Sequence, residues 1–413
     1  MFRYIENFHH GIGATGDLPI PVNTVLISSI WVLVLTFVLL KVSWKVSKIN
    51  TSEEEVHREQ PLLGKIVGLL ILLLLTVPGL IGDEASRTSV TPLLLWVIIW
   101  IGIPVLSLFF GDIYSKINPL TVFSQKASGN TNSMYPACIL FLYFAWFELV
   151  WRKPGNPTHI GIVFVIFFII VFSLTKFQKR SPIEVDPLYV LHYLYSRMKI
   201  TSRNNPINTM TNAIASSTKV KGIEYFHCLM IGAVTYDGLS GTVAWYNQFG
   251  SLSLNIFFNT FMFLGCILIV TSLYRFSCYF AIRTSGASHD INFISTQFAH
   301  TMLPISFAYH ITHYISLLLF EGQTILFRLN DPIGLGWDVF GITDVTVNYF
   351  LSPVGLWSLQ VIVTLLGHIL AVILAHDLTV KFFGIENSDK TQYAFLGLTV
   401  ALTLQALFVL SVP

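Results

Sequence analysis

The sequence predicts an all-α membrane protein, a polytopic bundle of about ten transmembrane helices. Apolar residues make up 54% of the 413 residues and charged residues 11%, whereas a soluble domain carries about 25% charged residues. The mean hydropathy is +0.67. The apolar residues also form continuous runs of about 20, the length that a membrane-spanning helix needs, and not the shorter alternating strands of a membrane barrel.

Ten such runs can be followed along the chain. The fourth and the sixth are the shortest, so nine or eleven spans are the alternatives. Polar connections separate each run from the next. The predicted spans cover residues 21–41, 63–82, 90–111, 135–151, 158–176, 222–238, 253–280, 291–320, 352–379 and 391–411.

Basic residues predict the orientation of these spans, because Lys and Arg collect in cytoplasmic loops. Alternate connections hold all but five of the 24 Lys and Arg residues. Both termini are therefore predicted to lie outside the cytoplasm, in a multi-pass protein of the plasma membrane. The N-terminal segment lacks the pattern of a cleavable signal peptide. The basic residues on the outer side are Arg3, Arg87, Arg152, Lys153 and Arg328.

Two connections carry features of their own within what the sequence predicts to be one integral-membrane domain, residues 1–413. Residues 177–221 hold apolar side chains such as Leu188 and Leu191 at helical spacing. This pattern predicts an amphipathic helix on the cytoplasmic face, followed by a flexible linker. Residues 321–351 are acidic and rich in glycine, which predicts an external loop.

Histidines lie deep in the last spans, where ionisable groups are rare and usually mark a functional site. A rise of about 1.5 Å per residue places His300 about 14 Å and His368 about 15 Å from the cytoplasmic surface. These two histidines are therefore predicted to meet near the middle of the membrane. His310 and His313 lie one turn apart, closer to the outer face.

These histidines predict a metal site, because neutral imidazole suits divalent transition metals such as Zn, Cu or Fe. A neighbouring carboxylate can orient the imidazole ring. In the alternative interpretation, each histidine only hydrogen-bonds an adjacent helix. Bis-histidine haem is a third interpretation. The predicted metal ligands are His10, His300, His310, His313, His368, His376 and Asp377.

Two acidic residues near the outer ends of spans are predicted as catalytic groups. Glu148 lies at the end of the fourth span and Asp237 at the end of the sixth. Each can serve as a general base or in a proton relay, and each can equally be an ordinary interfacial residue. Pro104 and Pro304 lie inside spans and predict kinks.

Some classes of function are disfavoured by the motifs that the sequence lacks. It contains no Walker A loop, GxSxG, HExxH or Cys-based metal motif. The net charge of +2 gives no reason to expect nucleic acid. The expected partners are the lipid bilayer and a small-molecule or ion substrate, with an oligomer or a larger membrane complex as an alternative.

Several strings follow one another along nearly the whole chain, among them HHGIGATGDLPIP, TYDGLSGTVAW, FAHTMLPISFAYHITHYISLLLFEGQ, LNDPIGLGWDVFG and GHILAVILAHD. Together they resemble a family of polytopic membrane proteins known as fenitrothion hydrolase-like. The resemblance implies hydrolysis of an organophosphorothioate ester with the help of a metal. His310 departs from the family pattern. The matching residues are His10, His300, His313, His368, His376 and Asp377, followed by Asp112, Asp237 and Glu148.

Three functions compete on these observations. The first is a membrane-embedded, metal-dependent hydrolase of phosphoester-type bonds, in which imidazoles hold the metal and a carboxylate acts as base. The second is a transporter or a conduit for protons or metal ions that uses the same residues as relay groups. The third is a membrane subunit of a larger redox complex.

Overall fold

A computed structural model describes residues 21–49, 60–82, 89–123, 133–200, 206–216, 220–342 and 344–411. The regular elements in these ranges are helices, which confirms the predicted all-α polytopic bundle. Eight of the described helices are long and apolar enough to cross a membrane. Two more, Tyr135–Leu149 and Ile223–Ser240, lie where the fourth and sixth spans were predicted but are shorter.

The helices are numbered in chain order. Turns of 3-10 helix at Gly250–Leu254, Ala299–Met302 and Glu321–Thr324 join some of them. The helices are α1 (Val22–Ser43), α2 (Leu62–Ile81), α3 (Val90–Phe110), α4 (Tyr114–Ile117), α5 (Tyr135–Leu149), α6 (Pro157–Lys176), α7 (Pro182–Val185), α8 (Pro187–Ser196), α9 (Pro206–Ala215), α10 (Ile223–Ser240), α11 (Val243–Phe249), α12 (Ile256–Ser285), α13 (Ile291–Phe298), α14 (Leu303–Phe320), α15 (Ile325–Asn330), α16 (Pro353–Phe383) and α17 (Ile385–Ser411).

The chain forms two compact units, where the sequence predicted one domain. The described residues of 56–201 and 314–350 belong to the first unit, which contains α2 to α8 and α15. In this unit α2 packs closely on α6, and α8 packs on α3. The second unit contains α1, α9 to α13, α16 and α17, together with α14 as far as His313. Here α12 packs on α10 and α17, and α1 packs on α16 and α17.

The connection at 177–221 differs from its prediction. A helix forms in the expected place, but all ten residues of α8 are buried, whereas an interfacial amphipathic helix would leave one face exposed. The tract predicted to be a flexible linker contains α9. The connection at 321–351 begins with helical turns, and its described residues after Asn330 have no regular structure.

Prolines interrupt regular α-helix in two long spans, because proline has no N–H to donate. In α3 the nine residues Leu94–Gly102, just before Pro104, are π-helical. Before Pro304 the chain forms the 3-10 turn Ala299–Met302. In that turn the backbone N–H of Leu303 donates to the carbonyl of His300. Both predicted kinks thus coincide with a local change of helix type.

Candidate functional site

His313 and Asp237 form a hydrogen-bonded pair in the second unit. Nε2 of His313 lies 2.8 Å from Oδ2 of Asp237. The His313 side chain is 10% exposed and the Asp237 side chain 21%. The sequence predicted each residue separately, one as a metal ligand and the other as a catalytic carboxylate. It did not predict that α14 and α10 bring them together.

His300 meets a histidine that the sequence analysis did not select. The ring of His227, on α10, packs edge-on against the ring of His300, with centroids 6.0 Å apart and planes at 83°. Both side chains are buried. A signal for His227 was present in the sequence, because it lies in the predicted sixth span and is ionisable like the histidines that were selected.

A buried carboxylate forms the third contact between the same two stretches of chain. Oε2 of Glu224, in the first turn of α10, lies 3.5 Å from Oγ1 of Thr296 on α13. Glu224 is 4% exposed. Arg275, on α12, is close enough to Glu224 for a favourable charge interaction.

The three contacts follow the same chain order on α10 and on the stretch from α13 to α14, so these two segments run parallel. Glu224 and Asp237 are 13 positions apart, which corresponds to about 20 Å along a helix. The three pairs, each with at least one ionisable side chain, therefore form a column along the long axis of the second unit's helices. We call the three pairs the polar ladder: Glu224 with Thr296, His227 with His300, and Asp237 with His313.

A chain of neutral polar groups lies close to the Asp237 end of the polar ladder. Nε2 of Gln405, on α17, donates to the hydroxyl of Tyr309 at 2.6 Å. Oγ1 of Thr235 lies 3.1 Å from Oε1 of the same Gln405 side chain. Tyr309 also interacts electrostatically with Asp237. Three helices thus contribute donors and acceptors around this end.

His368 lies on α16, which packs antiparallel to α14. Nε2 of Gln360 donates to the carbonyl of Thr312 at 2.7 Å. Seven residues later, Gly367 packs so closely on α14 that an added Cβ would lie 2.6 Å from the carbonyl oxygen of Pro304. His368 therefore lies at the level of Pro304, between the His227–His300 pair and the Asp237–His313 pair of the polar ladder.

The geometry of His368 fixes its tautomer. Nδ1 lies 2.7 Å from the carbonyl oxygen of Thr364, which can only accept, so Nδ1 carries the proton. Nε2 then presents a lone pair, and this atom is buried with no hydrogen-bond partner among the described residues. His300 lies four residues before Pro304, about one helical turn from His368. The two histidines are thus offset, where the sequence predicted equal depth.

His376 is held through both ring nitrogens. Nδ1 lies 2.9 Å from Oε1 of Gln392, and Nε2 lies 2.8 Å from the carbonyl oxygen of Trp44. A cavity of about 10 Å³ beside His376 and Gln392 has room for about one water molecule. Because both nitrogens are engaged, a metal would have to displace a protein hydrogen bond from His376.

Asp377 anchors the segment that follows α1. Its Oδ1 accepts from the indole N–H of Trp44 at 2.9 Å and from the backbone N–H of Lys48 at 2.7 Å. Its Oδ2 accepts from Oγ of Ser47 at 2.8 Å and from the backbone N–H of Ile49 at 3.3 Å. These contacts give Asp377 a structural role, and its role as a metal ligand stays a prediction.

The other predicted site residues are dispersed. His310 is buried in α14, and Glu148 lies partly buried in the last turn of α5 in the first unit. His10 lies outside the described residues. Within those residues, no three His, Cys, Asp or Glu side chains are grouped so as to hold a metal ion. The described ligands therefore do not fit the predicted metal centre.

The first unit contains a buried polar cluster that the sequence analysis missed. Oδ2 of Asp186 accepts from Nδ2 of Asn118 at 2.7 Å, and Oδ1 accepts from the backbone N–H groups of Leu188 and Tyr189 at 3.0 Å each. Asp186 thereby caps the N-terminus of α8. Burial raises the pKa of its carboxyl from 3.8 to about 6, although these hydrogen bonds act in the opposite direction.

His192 is also part of this cluster. Its Nδ1 lies 2.6 Å from the carbonyl of Leu188 and its Nε2 lies 2.9 Å from the carbonyl of Ile99. The ring of Tyr114 stacks on it, with centroids 4.1 Å apart and planes at 13°. Among the residues selected from the sequence, Asp112 comes nearest to this cluster along the chain. Its Oδ1 accepts from the backbone N–H of Ser115 at the start of α4.

The fold and these buried pairs define the chain as a multi-pass, all-α membrane protein with ionisable groups inside its helical core. Comparison with protein-family models, curated proteins and solved structures finds no match. The resemblance to fenitrothion hydrolase-like proteins therefore stays a prediction.

Proposed function

We propose that this protein is a membrane transport protein whose polar ladder conducts protons or metal ions. The observation that carries this proposal is the register of three pairs on parallel helices. Ionisable residues inside membrane segments are costly to bury and commonly mark ion pathways and proton relays. The column of about 20 Å covers much of a hydrocarbon core that is about 30 Å thick.

The histidines and carboxylates of the polar ladder are suited to the transfer of protons. Histidine gains and loses protons near neutral pH, and a carboxylate at hydrogen-bonding distance can exchange a proton with it. Asp237 and His313 meet this condition at 2.8 Å. The bare lone pair of His368 supplies an acceptor at a level between the His227–His300 pair and the Asp237–His313 pair.

The proposed direction follows the distribution of basic residues. With both termini outside the cytoplasm of a plasma membrane, α10 begins on the cytoplasmic side and ends on the outer side. Glu224 would then exchange ions with the cytoplasm, and Asp237 with the exterior. The partial exposure of Asp237 and His313 supports contact with solvent at the outer end.

Flux measured in proteoliposomes tests the proposal. A pH-sensitive dye inside the vesicles would report proton entry after a K⁺ diffusion potential is imposed. A second set of vesicles, holding a metal-sensitive dye, would report metal entry. We expect Asp237→Asn and His300→Gln to lower the flux at least about tenfold, because each removes one titratable relay group. His159→Gln, in the first unit, is the matched control and should conduct like the parent. Unchanged flux in both ladder variants would contradict the proposal.

A hydrolase is the second candidate, favoured by the partly exposed dyad of His313 and Asp237. A histidine oriented by a carboxylate is a suitable general base for water that attacks a phosphoester-type bond. The resemblance to fenitrothion hydrolase-like proteins supports the same activity. Zn, Cu or Fe would need ligands from outside the described residues, such as His10. Hydrolysis of a chromogenic phosphotriester by the parent and not by His313→Gln, in vesicles that show no ion flux, would favour this candidate.

A further inference from the structure

We infer that the ion carried by the polar ladder is the proton, and that Arg275 is the residue that sets this selectivity. This inference rests on the proposed function, because it names the substrate of the same site. It draws on two further features, which are the packing between the pairs and the position of the Arg275 guanidinium.

The polar ladder is packed too tightly for a metal ion to travel along it. His227 and His300 are each 1% exposed, and Ile231, which follows His227 by one turn on α10, is fully buried. Next to it, Gly232 approaches α12 so closely that a Cβ would lie 2.6 Å from Cα of Ile267. A metal ion moves with bound water or passes between sets of four or more ligands. A proton needs only successive donors and acceptors.

Arg275 places a permanent positive charge beside the first pair of the ladder. Its Nη2 donates to Oδ1 of Asn292 at 3.1 Å. Its Nη1 lies 3.4 Å from both the hydroxyl of Tyr225 and Oγ of Ser295. These acceptors are neutral, and Ser295 directly precedes Thr296, the ladder partner of Glu224. The guanidinium is thus held at the Glu224 end of the polar ladder by groups that do not neutralise its charge.

This charge acts oppositely on the two kinds of ion. A guanidinium repels a divalent cation twice as strongly as a monovalent one at the same distance, so it opposes entry of a metal ion. The same guanidinium attracts the carboxylate form of Glu224, which is the form that can accept a proton. Arg275 therefore keeps the first group able to accept a proton and opposes its occupation by a metal.

The test compares two ions in one preparation of proteoliposomes. The parent, Arg275→Gln and Arg275→Lys are each reconstituted with a pH-sensitive dye or with a Zn²⁺-sensitive dye inside. We expect the parent to take up protons and to exclude Zn²⁺. Arg275→Gln should lower proton uptake about tenfold, because it removes the positive charge that attracts the Glu224 carboxylate. Arg275→Lys retains the charge and should restore uptake to within about threefold of the parent.

The outcomes separate this inference from the proposed function. Zn²⁺ entry without proton entry in the parent would overturn the inference and leave a metal-ion conduit standing. Absence of flux for both ions would remove the proposed function itself. Proton uptake that is equal in the parent and in Arg275→Gln would overturn the role of Arg275. If Arg275→Gln does not reconstitute as a folded protein, Arg275→Lys and Glu224→Gln are compared instead. The inference expects proton uptake with Arg275→Lys and none with Glu224→Gln.

Discussion

Nε2 of His192 lies 2.9 Å from the carbonyl oxygen of Ile99, whose π-helical donor position is occupied by Pro104. A proline has no N–H, so the backbone alone would leave this buried carbonyl without a donor. The same solution appears in α2, where Oγ1 of Thr91 donates to the carbonyl of Leu74, four residues before Pro78. Side chains from neighbouring segments thus compensate for prolines inside helices of the first unit.

We expect His192→Ala to lower the free energy of unfolding by about 1–3 kcal/mol, the usual cost of a buried polar group that loses its partner. In a Pro104→Ala background, residue 104 gains an N–H and can satisfy the carbonyl of Ile99. The cost of His192→Ala should therefore be smaller in that background. Thermal unfolding in detergent of the four proteins of this double-mutant cycle measures the difference. The lost stacking on Tyr114 is common to both backgrounds and cancels. An equal cost in both would argue against the compensation.

The helices were predictable because hydropathy reports which stretches avoid water. The partners of individual side chains were not, since hydropathy does not report which face of a helix meets which neighbour. His227 is the clearest example, because it lies in a predicted span but became a candidate only when α10 was seen beside His300. Asp237 and His313 were both selected, yet only the packing of α10 on α14 shows that they are one pair.

The packing of neighbouring helices explains two further differences. The depths of His300 and His368 were counted from the estimated ends of their spans, but the close packing of Gly367 on Pro304 places His368 about one turn from His300. The helix α8 was expected at an interface because its apolar residues recur with helical spacing. Its polar side chains are buried as well, since groups such as His192 find acceptors inside the first unit. Such partners come from distant positions in the chain.

Close packing of α16 on α14 predicts a low tolerance for side chains at Gly367. A Cβ at this position would lie 2.4 Å from Cβ of Ala308. We expect Gly367→Ala to destabilise the protein by about 1–3 kcal/mol through overpacking. Gly265→Ala, in α12, is the matched control, because a Cβ there meets no atom within 4 Å. It should stabilise the helix by up to about 1 kcal/mol. Thermal unfolding in detergent that shows equal effects would contradict the close approach.

The contacts of Asp377 predict that the segment after α1 depends on one carboxylate. Asp377→Asn replaces one acceptor oxygen with an amide donor, so it cannot keep all four hydrogen bonds. We expect a loss of about 1–3 kcal/mol and faster hydrogen exchange at the amides of Lys48 and Ile49. Asp290→Asn, at the exposed start of α13, is the control and should leave these two amides unchanged. Equal protection in the parent and in Asp377→Asn would show that other contacts hold the segment.

Burial of Asp186 predicts a specific pH dependence of stability. Its pKa is raised from 3.8 to about 6 in the folded protein, so the folded state binds the proton more tightly than the unfolded state. This contribution is complete below about pH 4 and is lost as the pH rises through about 6. A difference of about two pKa units corresponds to about 3 kcal/mol. Stability measured by unfolding in detergent should therefore decline over this interval.

Two variants isolate the contribution of Asp186 from other titrating groups. Asp186→Asn removes the titrating carboxyl, so its stability should fall less between pH 4 and 6 than that of the parent. In this variant the side-chain amide of Asn118, which donates to Asp186 in the parent, faces a second side-chain amide. The double variant Asp186→Asn/Asn118→Asp restores a donor opposite an acceptor and returns a buried carboxyl to the cluster. We expect the double variant to recover the pH-dependent decline because burial again opposes ionisation. A parent and an Asp186→Asn variant with identical pH profiles would show that this carboxyl does not titrate in the range.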